Sequence, residues 1–244
     1  MRTHRIVLKW VEDQLAAGSL SVGDKLPAER LLAEQLEVSR TSVREAIRVL
    51  EAMGVLRIGV GSGAQAGTVV IAEPGAALGS ALRLHVATSH LPVEDIVQTR
   101  VLLESWAAAH ASPQAPQLEE AAKILAEMDT AADATGDGGT SETPERIAEF
   151  LAQDVQFHLL LAAAAGNAVV TAMMASLRES IESYAHTLTA NLPDWDSTTV
   201  RLRAEHHGIL NAVAAGNPKQ AARLVTEHIQ GYYREAGLAA THKL

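Results

Sequence analysis

Cysteine is absent from the 244 residues. That excludes disulfides and thiolate metal ligands and fits a reducing compartment. Aromatic residues make up only 3% of the chain, so its core must come from close packing of small and aliphatic side chains, which alanine-rich helices provide. No run of about 18 consecutive apolar residues occurs, which argues against a membrane span. The opening Met1-Arg2-Thr3-His4-Arg5 leads into a charged amphipathic segment, not the apolar core of a signal peptide. The expected location is the cytoplasm. An excess of basic charge is also missing, since the formal net charge is −9 at pH 7.

What is present fits a globular protein of one large or two ordinary domains: 48% hydrophobic and 20% charged residues. The charge is unevenly spread. Residues 1–72 carry nine Lys/Arg against eight Asp/Glu, and the remainder eleven against twenty-one. A near-neutral, arginine-bearing head on an acidic body implies two domains with different partners.

In the head, Val7, Leu8, Val11 and Leu15 recur at helical spacing from His4 to about Ala17, where Gly18 offers a stop. Pro27 is placed to open a second short helix through about Leu36. Ser39 reads as the N-cap of a third helix reaching Met53, with Gly54 beyond it. On that third helix Val43, Ala46, Ile47 and Leu50 share one face, and Arg40, Thr41, Arg44 and Arg48 share the other. Guanidinium groups bond phosphates or guanine edges bidentately, and the N-terminal part of such a helix enters a major groove first. Taken alone, three arginines on one helix are more often an ordinary solvated face. Val55–Ile58 and Thr68–Ile71 read as strands around the glycine-rich stretch Gly59–Gly67. A hairpin after a recognition helix is a wing, whereas a phosphate-cradling loop would be followed by a helix N-terminus.

The runs Gly23-Asp24-Lys25-Leu26-Pro27-Ala28-Glu29-Arg30, Val38-Ser39-Arg40-Thr41-Ser42-Val43-Arg44-Glu45-Ala46 and Leu50-Glu51-Ala52-Met53-Gly54 resemble the GntR family of bacterial regulators across nearly the whole head. That resemblance implies a winged helix-turn-helix, with DNA-contacting positions at Arg30, Ser39, Arg40, Thr41 and Arg44, and Gly61 near the wing tip. The stretch Gly61–Gly67 is longer than the family's compact tip.

Glu73 to about Gly79 reads as a linker with Pro74 and Gly75, and beyond it no alternating strands appear. Helical segments follow, opened by Pro92, Pro113/Pro116, Thr143-Pro144, Asn167, Pro193-Asp194 and Asn217-Pro218. Asp133–Thr143 reads as a loop. The fold class expected is mainly α: residues 1–72 as the winged helix-turn-helix, 73–91 as linker and connecting helix, and 92–240 as an all-α bundle of six or seven helices.

Polar residues interrupt three of the bundle's apolar stripes. Asp154 and His158 lie with Leu151 and Leu161, His206 with Leu202, Leu210 and Val213, and His228 with Leu224 and Tyr232. Each unpartnered buried polar group costs about 1–3 kcal/mol. A divalent metal would satisfy all four together, and three nitrogens with one carboxylate suit Zn, Ni, Fe or Mn. The Asp154/His158 pair alone is equally an i,i+4 surface pair. His186 and His207 fall off the stripes and read as exposed. The segments around Asp154–Leu160, Ala165-Gly166-Asn167, Glu205-His206 and His228 resemble the effector domain of the FadR subfamily, the FCD domain. The resemblance implies metal ligands at Asp154, His158, His206 and His228, and small organic acids as effectors. Arg100 is the candidate carboxylate receiver, with a helix-surface ion pair to Glu104 as its alternative.

The leading expectation is a homodimeric repressor on a palindromic operator, released by a small acid. A metal-responsive regulator, with the ion itself as signal, fits the same residues. A metal-dependent hydrolase lacks a placed general base, because Glu205 is turned off the stripe by helical geometry.

Overall fold

The computed structural model describes residues 3–59, 67–88, 91–133, 143–190 and 192–237. The chain divides into two compact units, residues 1–78 and 79–244. Among the described residues there are ten α-helices and one two-stranded antiparallel sheet.

The first unit is built from α1 (His4–Ala16), α2 (Glu29–Gln35), α3 (Arg40–Ala52), β1 (Leu56–Gly59) and β2 (Gly67–Val70). One core collects Val7 and Val11 of α1, Leu32 and Ala33 of α2, the Val43/Ala46/Ile47/Leu50 face of α3, and Leu56 and Val70 of the hairpin. The Ser39 hydroxyl accepts the Ser42 N–H at 3.1 Å, satisfying an amide that α3 leaves unpaired. The chain leaves α3 through Gly54 at φ +68°, where a Cβ would run into the Glu73 carbonyl oxygen. Pro27 does not open α2, which begins two residues later. Lys25 bridges Val69, and the Leu26 N–H donates to the Thr68 carbonyl, so this stretch is held extended along the hairpin. In the hairpin Leu56 pairs with Val70 and Gly59 with Gly67. Gly61, expected near the wing tip, lies outside the described residues.

Helix α4 (Pro74–Ala87) occupies much of the expected linker. Proline is tolerated in a helix's first turn because no donor is needed there, and Ala76, Ala77 and Leu78 are strong helix formers. The bundle then comprises α5 (Val93–His110), α6 (Gln117–Asp133), α7 (Pro144–Ala164), α8 (Ala168–Ala190), α9 (Trp195–Ala214) and α10 (Pro218–Glu235). Thr143, Asp194 and Asn217 cap α7, α9 and α10 through side-chain oxygens. The bundle's main core includes Leu125, Met128, Phe157, Leu161, Ile209, Val225 and Ile229. No described helix is long and apolar enough to cross a membrane.

Candidate functional site

On α3 the buried and exposed faces fall where 100° per residue places them: Val43, Ala46, Ile47 and Leu50 are buried, while Arg40, Thr41, Arg44 and Arg48 are exposed. Arg44 is bonded to Glu29, with Nη2 2.8 Å from Oε2, and Arg30 to Glu34 at 2.7 Å. Both pairs are solvent-exposed and worth little, so a phosphate can displace either carboxylate. Ser39 is engaged as the helix cap and also bonds the Ser42 hydroxyl at 2.9 Å. The lip of α3 lined by Thr41, Arg44, Glu45, Arg48 and Val49 forms an open surface depression.

Inside the bundle, α7, α9 and α10 bring Asp154, His158, His206 and His228 together, with one ligating atom from each lying within 4.8 Å of the others. The three imidazoles are buried, His206 completely. The Nε2 atoms of His158 and His228 face each other at 3.2 Å, and His206 Nε2 lies 3.1 Å from Asp154 Oδ1. Neither His206 nitrogen has an aligned hydrogen-bond partner. Burial pushes the His206 pKa down to about 3, and lowers that of His228 as well. Burial thus favours the neutral form of His206 and His228, the form that ligates metals. Burial acts to raise the Asp154 pKa, but the charges of Arg178 and His158 outweigh it and hold the carboxyl well below its ordinary range.

Two further carboxylates grip the rings from behind. Glu104 Oε2 lies 2.5 Å from His158 Nδ1, and Glu205 Oε2 lies 2.8 Å from His228 Nδ1. Such contacts fix tautomer and ring orientation and leave Nε2 with its lone pair. Glu205 thus has a partner that the sequence reading does not assign it. It is turned off the His206 stripe on α9, yet it reaches across to α10, where His228 receives it. Arg201 holds its other oxygen at 2.7 Å.

The alternative for Arg100 is corrected. It does pair with Glu104, Nε to Oε1 at 2.8 Å, but both are buried, and Arg100 also donates to the Tyr233 hydroxyl at 2.7 Å. Burial opposes the charge on Glu104, yet Arg100, His158 and Arg178 keep its pKa far below the usual carboxylate value. His207 is half-exposed and bonded to Asp129 at 2.8 Å, and the side chain of His186 lies outside the described residues.

Arg178 of α8 was not singled out by the sequence, since no stripe or motif marks it. It is buried, donates to Asp154 Oδ2 at 3.1 Å, and keeps Nε and Nη2 without hydrogen-bond partners. Arg178, Arg100, Asp154 and His228 all line one cavity of about 70 Å³, together with Phe150, Leu151, Val155, Leu188, Leu202, Ile229, Tyr232 and Tyr233. Burial pushes the Tyr232 phenol up to about 12. The cavity therefore opens directly onto the Asp/His cluster.

Comparison with known proteins decides the family. Residues 5–65 match the bacterial regulatory proteins of the gntR family, and residues 95–231 match the FCD domain. The chain belongs to the GntR family, in its FadR subfamily. It is similar to the HTH-type transcriptional regulator LutR of Bacillus subtilis, at 30% identity over 89% of this chain and 97% of that protein. It is also similar to the Exu regulon transcriptional regulator of Escherichia coli K12, at 30% identity over 90% of this chain and 79% of that one. Among solved structures, a GntR protein of Streptococcus agalactiae superposes with a TM-score of 0.62 at 25% identity, covering 95% of this chain and 99% of that one. This GntR protein is a DNA-binding transcriptional regulator and not an enzyme.

Proposed function

We propose that this regulator is a cytoplasmic homodimeric repressor whose grip on a palindromic operator is released by a small organic acid at a metal-centred pocket. Residues 1–72 would form the operator-binding domain, 73–91 the connection and 92–240 the sensor. The observation carrying the reading is the convergence of Asp154, His158, His206 and His228 beside a cavity that Arg100 and Arg178 also line.

The residues fit a divalent ion. Two histidine nitrogens face each other at 3.2 Å, their opposite nitrogens lie 2.5 and 2.8 Å from carboxylate oxygens, and one ligating atom from each of the four residues lies within 4.8 Å of the others. The orphaned His206 nitrogens, in a fully buried ring, would otherwise cost about 1–3 kcal/mol. Bound there, a Zn, Ni, Fe or Mn ion would supply a Lewis-acidic point for an oxyanion. Arg100 and Arg178 are balanced by Glu104 and Asp154, so a divalent ion adds uncompensated positive charge, which favours an anionic effector. Arg178 lines the cavity as the cation nearest Asp154, and Arg100 orients its surroundings through Glu104 and Tyr233. On the DNA side, Arg30, Ser39, Arg40, Thr41 and Arg44 would meet the operator, with Gly61 at the wing.

The test is operator binding by the purified protein, using DNA from its own upstream region, with and without a panel of small carboxylic acids and alongside His206→Ala. Release by an acid, lost in the variant, supports the sensor reading. Binding that ignores both acids and the substitution removes the sensor assignment and leaves the DNA-binding half intact. A reporter transcribed less in the presence of protein alone supports repression, and one transcribed more overturns it.

A further inference from the structure

Among the arginines of the α2–α3 face, Arg44 is held differently from the rest. Its Nε lies 3.1 and 3.3 Å from the two carboxylate oxygens of Glu29, and its Nη2 lies 2.8 Å from Glu29 Oε2. One whole edge of the guanidinium therefore donates to a single carboxylate. The contact joins two helices whose spacing is set by burial, since Leu32 and Ala33 of α2 share a core with Val43, Ala46 and Ile47 of α3. Arg30, by contrast, reaches Glu34 through Nη1 alone, four residues along the same helix. Arg40 and Arg48, one turn to either side of Arg44, are exposed and make no side-chain hydrogen bond or ion pair among the described residues. Glu45, the other carboxylate at this lip of α3, lies 3.7 Å from His4.

That geometry decides which partner suits Arg44. With Nε–H and one Nη2–H on Glu29, the outer edge remains, formed by Nη1 and the second Nη2–H. Nη1 makes no hydrogen bond among the described residues. Two parallel N–H groups match the O6 and N7 acceptors of guanine in a major groove. A phosphate matches them in shape but not in charge. Arg44 and Glu29 together are neutral. Guanine offers neutral acceptors to that pair, whereas a phosphate brings a second anion beside the carboxylate, or must displace it and remain its neighbour. Arg48, bordering the same surface depression as Thr41 and Arg44, keeps its whole charge for phosphates.

We propose that Glu29 is a specificity-determining residue, which holds Arg44 side-on so that its outer edge reads a guanine in each half-site instead of gripping the sugar-phosphate backbone. Glu29 touches no base itself. It is a positioning residue that acts through Arg44. A reader fixed in advance loses less rotamer freedom on binding, which is worth about 2–12-fold in affinity for one side chain. The same carboxylate weakens binding to every duplex that lacks the guanine, because it repels phosphates without a compensating base contact. The inference rests on the DNA-contacting role of α3 given above and is independent of the acid sensor.

The experiment is selection from a randomised duplex library by the full-length protein, as wild type, Glu29→Gln and Arg44→Ala. Affinities of the enriched duplex and its single-base-pair variants are then measured across salt concentrations. Wild type should enrich a guanine in each half-site whose replacement weakens binding roughly 5–150-fold. Arg44→Ala should lose the preference at that base pair alone. Glu29→Gln should lower the same preference by about 2–12-fold, yet bind non-cognate duplexes more tightly and steepen their slope of log affinity against log salt by about 1. If Arg44→Ala weakens every duplex alike, Arg44 is a phosphate contact and the proposal is overturned. If Glu29→Gln lowers stability but leaves the base preference unchanged, Glu29 only screens Arg44 from Arg40 and Arg48, and its positioning role is overturned. If wild type enriches no duplex, the DNA-contacting reading of α3 fails and this inference with it.

Discussion

At the scale of single residues, the four cluster members are legible because each is a polar side chain on an otherwise apolar helical stripe. Their partners are not. Glu205 is adjacent in sequence to His206 but acts on His228, 23 positions away, and only the packing of α9 on α10 makes that contact. Arg178 likewise acquires its role from α8 lying against α7. Replacing Glu205 by Gln should weaken Zn²⁺ binding by roughly 10–100-fold, the usual effect of losing a carboxylate behind a ligating histidine. Competition against a chromophoric chelator measures this, and an unchanged affinity would reduce Glu205 to a partner of Arg201. At the other end of the chain, Ser39→Ala removes the cap of α3 and should cost about 1 kcal/mol in denaturant unfolding.

At the scale of elements, α3 is the clearest case of periodicity carrying through to structure. One stripe of Val43, Ala46, Ile47 and Leu50 is driven inward by burial, and the arginines are left outside as a consequence. If that face meets phosphates, Arg48→Ala should weaken binding to all DNA sequences alike and reduce the slope of log affinity against log salt by about 1. A loss confined to one operator base pair would instead make Arg48 a base reader. In the bundle, Phe157 of α7 is completely buried, with its ring 4.6 Å from that of His206. Phe157→Ala should cost about 3–5 kcal/mol by thermal or denaturant unfolding, because it leaves a cavity in the wall of the Asp/His cluster. Helix starts proved harder to read than helix faces. Pro27 and Pro74 carry the same local signal, yet the first lies in an extended stretch paired to the hairpin and the second opens α4.

At the scale of the whole molecule, a bound ion would stabilise the folded state by mass action. With metal at about 100 times its dissociation constant the gain is about 2.7 kcal/mol, so removal by a chelator should lower the melting temperature by roughly 5–10 °C. Readdition of Zn²⁺ should restore it, and His206→Ala should show neither change. An equal chelator effect on His206→Ala would place the ion elsewhere. What the sequence determined by itself was the fold class, the two faces of α3 and the inward-facing residues of three bundle stripes. Each depends on hydrophobic periodicity and caps within about a dozen consecutive residues. What only the tertiary structure decided was which side chains on different helices share a partner: Glu104 with His158, Glu205 with His228, Arg178 with Asp154, and the apolar wall beside them. The reason is physical. A stripe fixes which way a residue points, but the identity of the atom it meets depends on helix offsets and rotations that no single helix encodes.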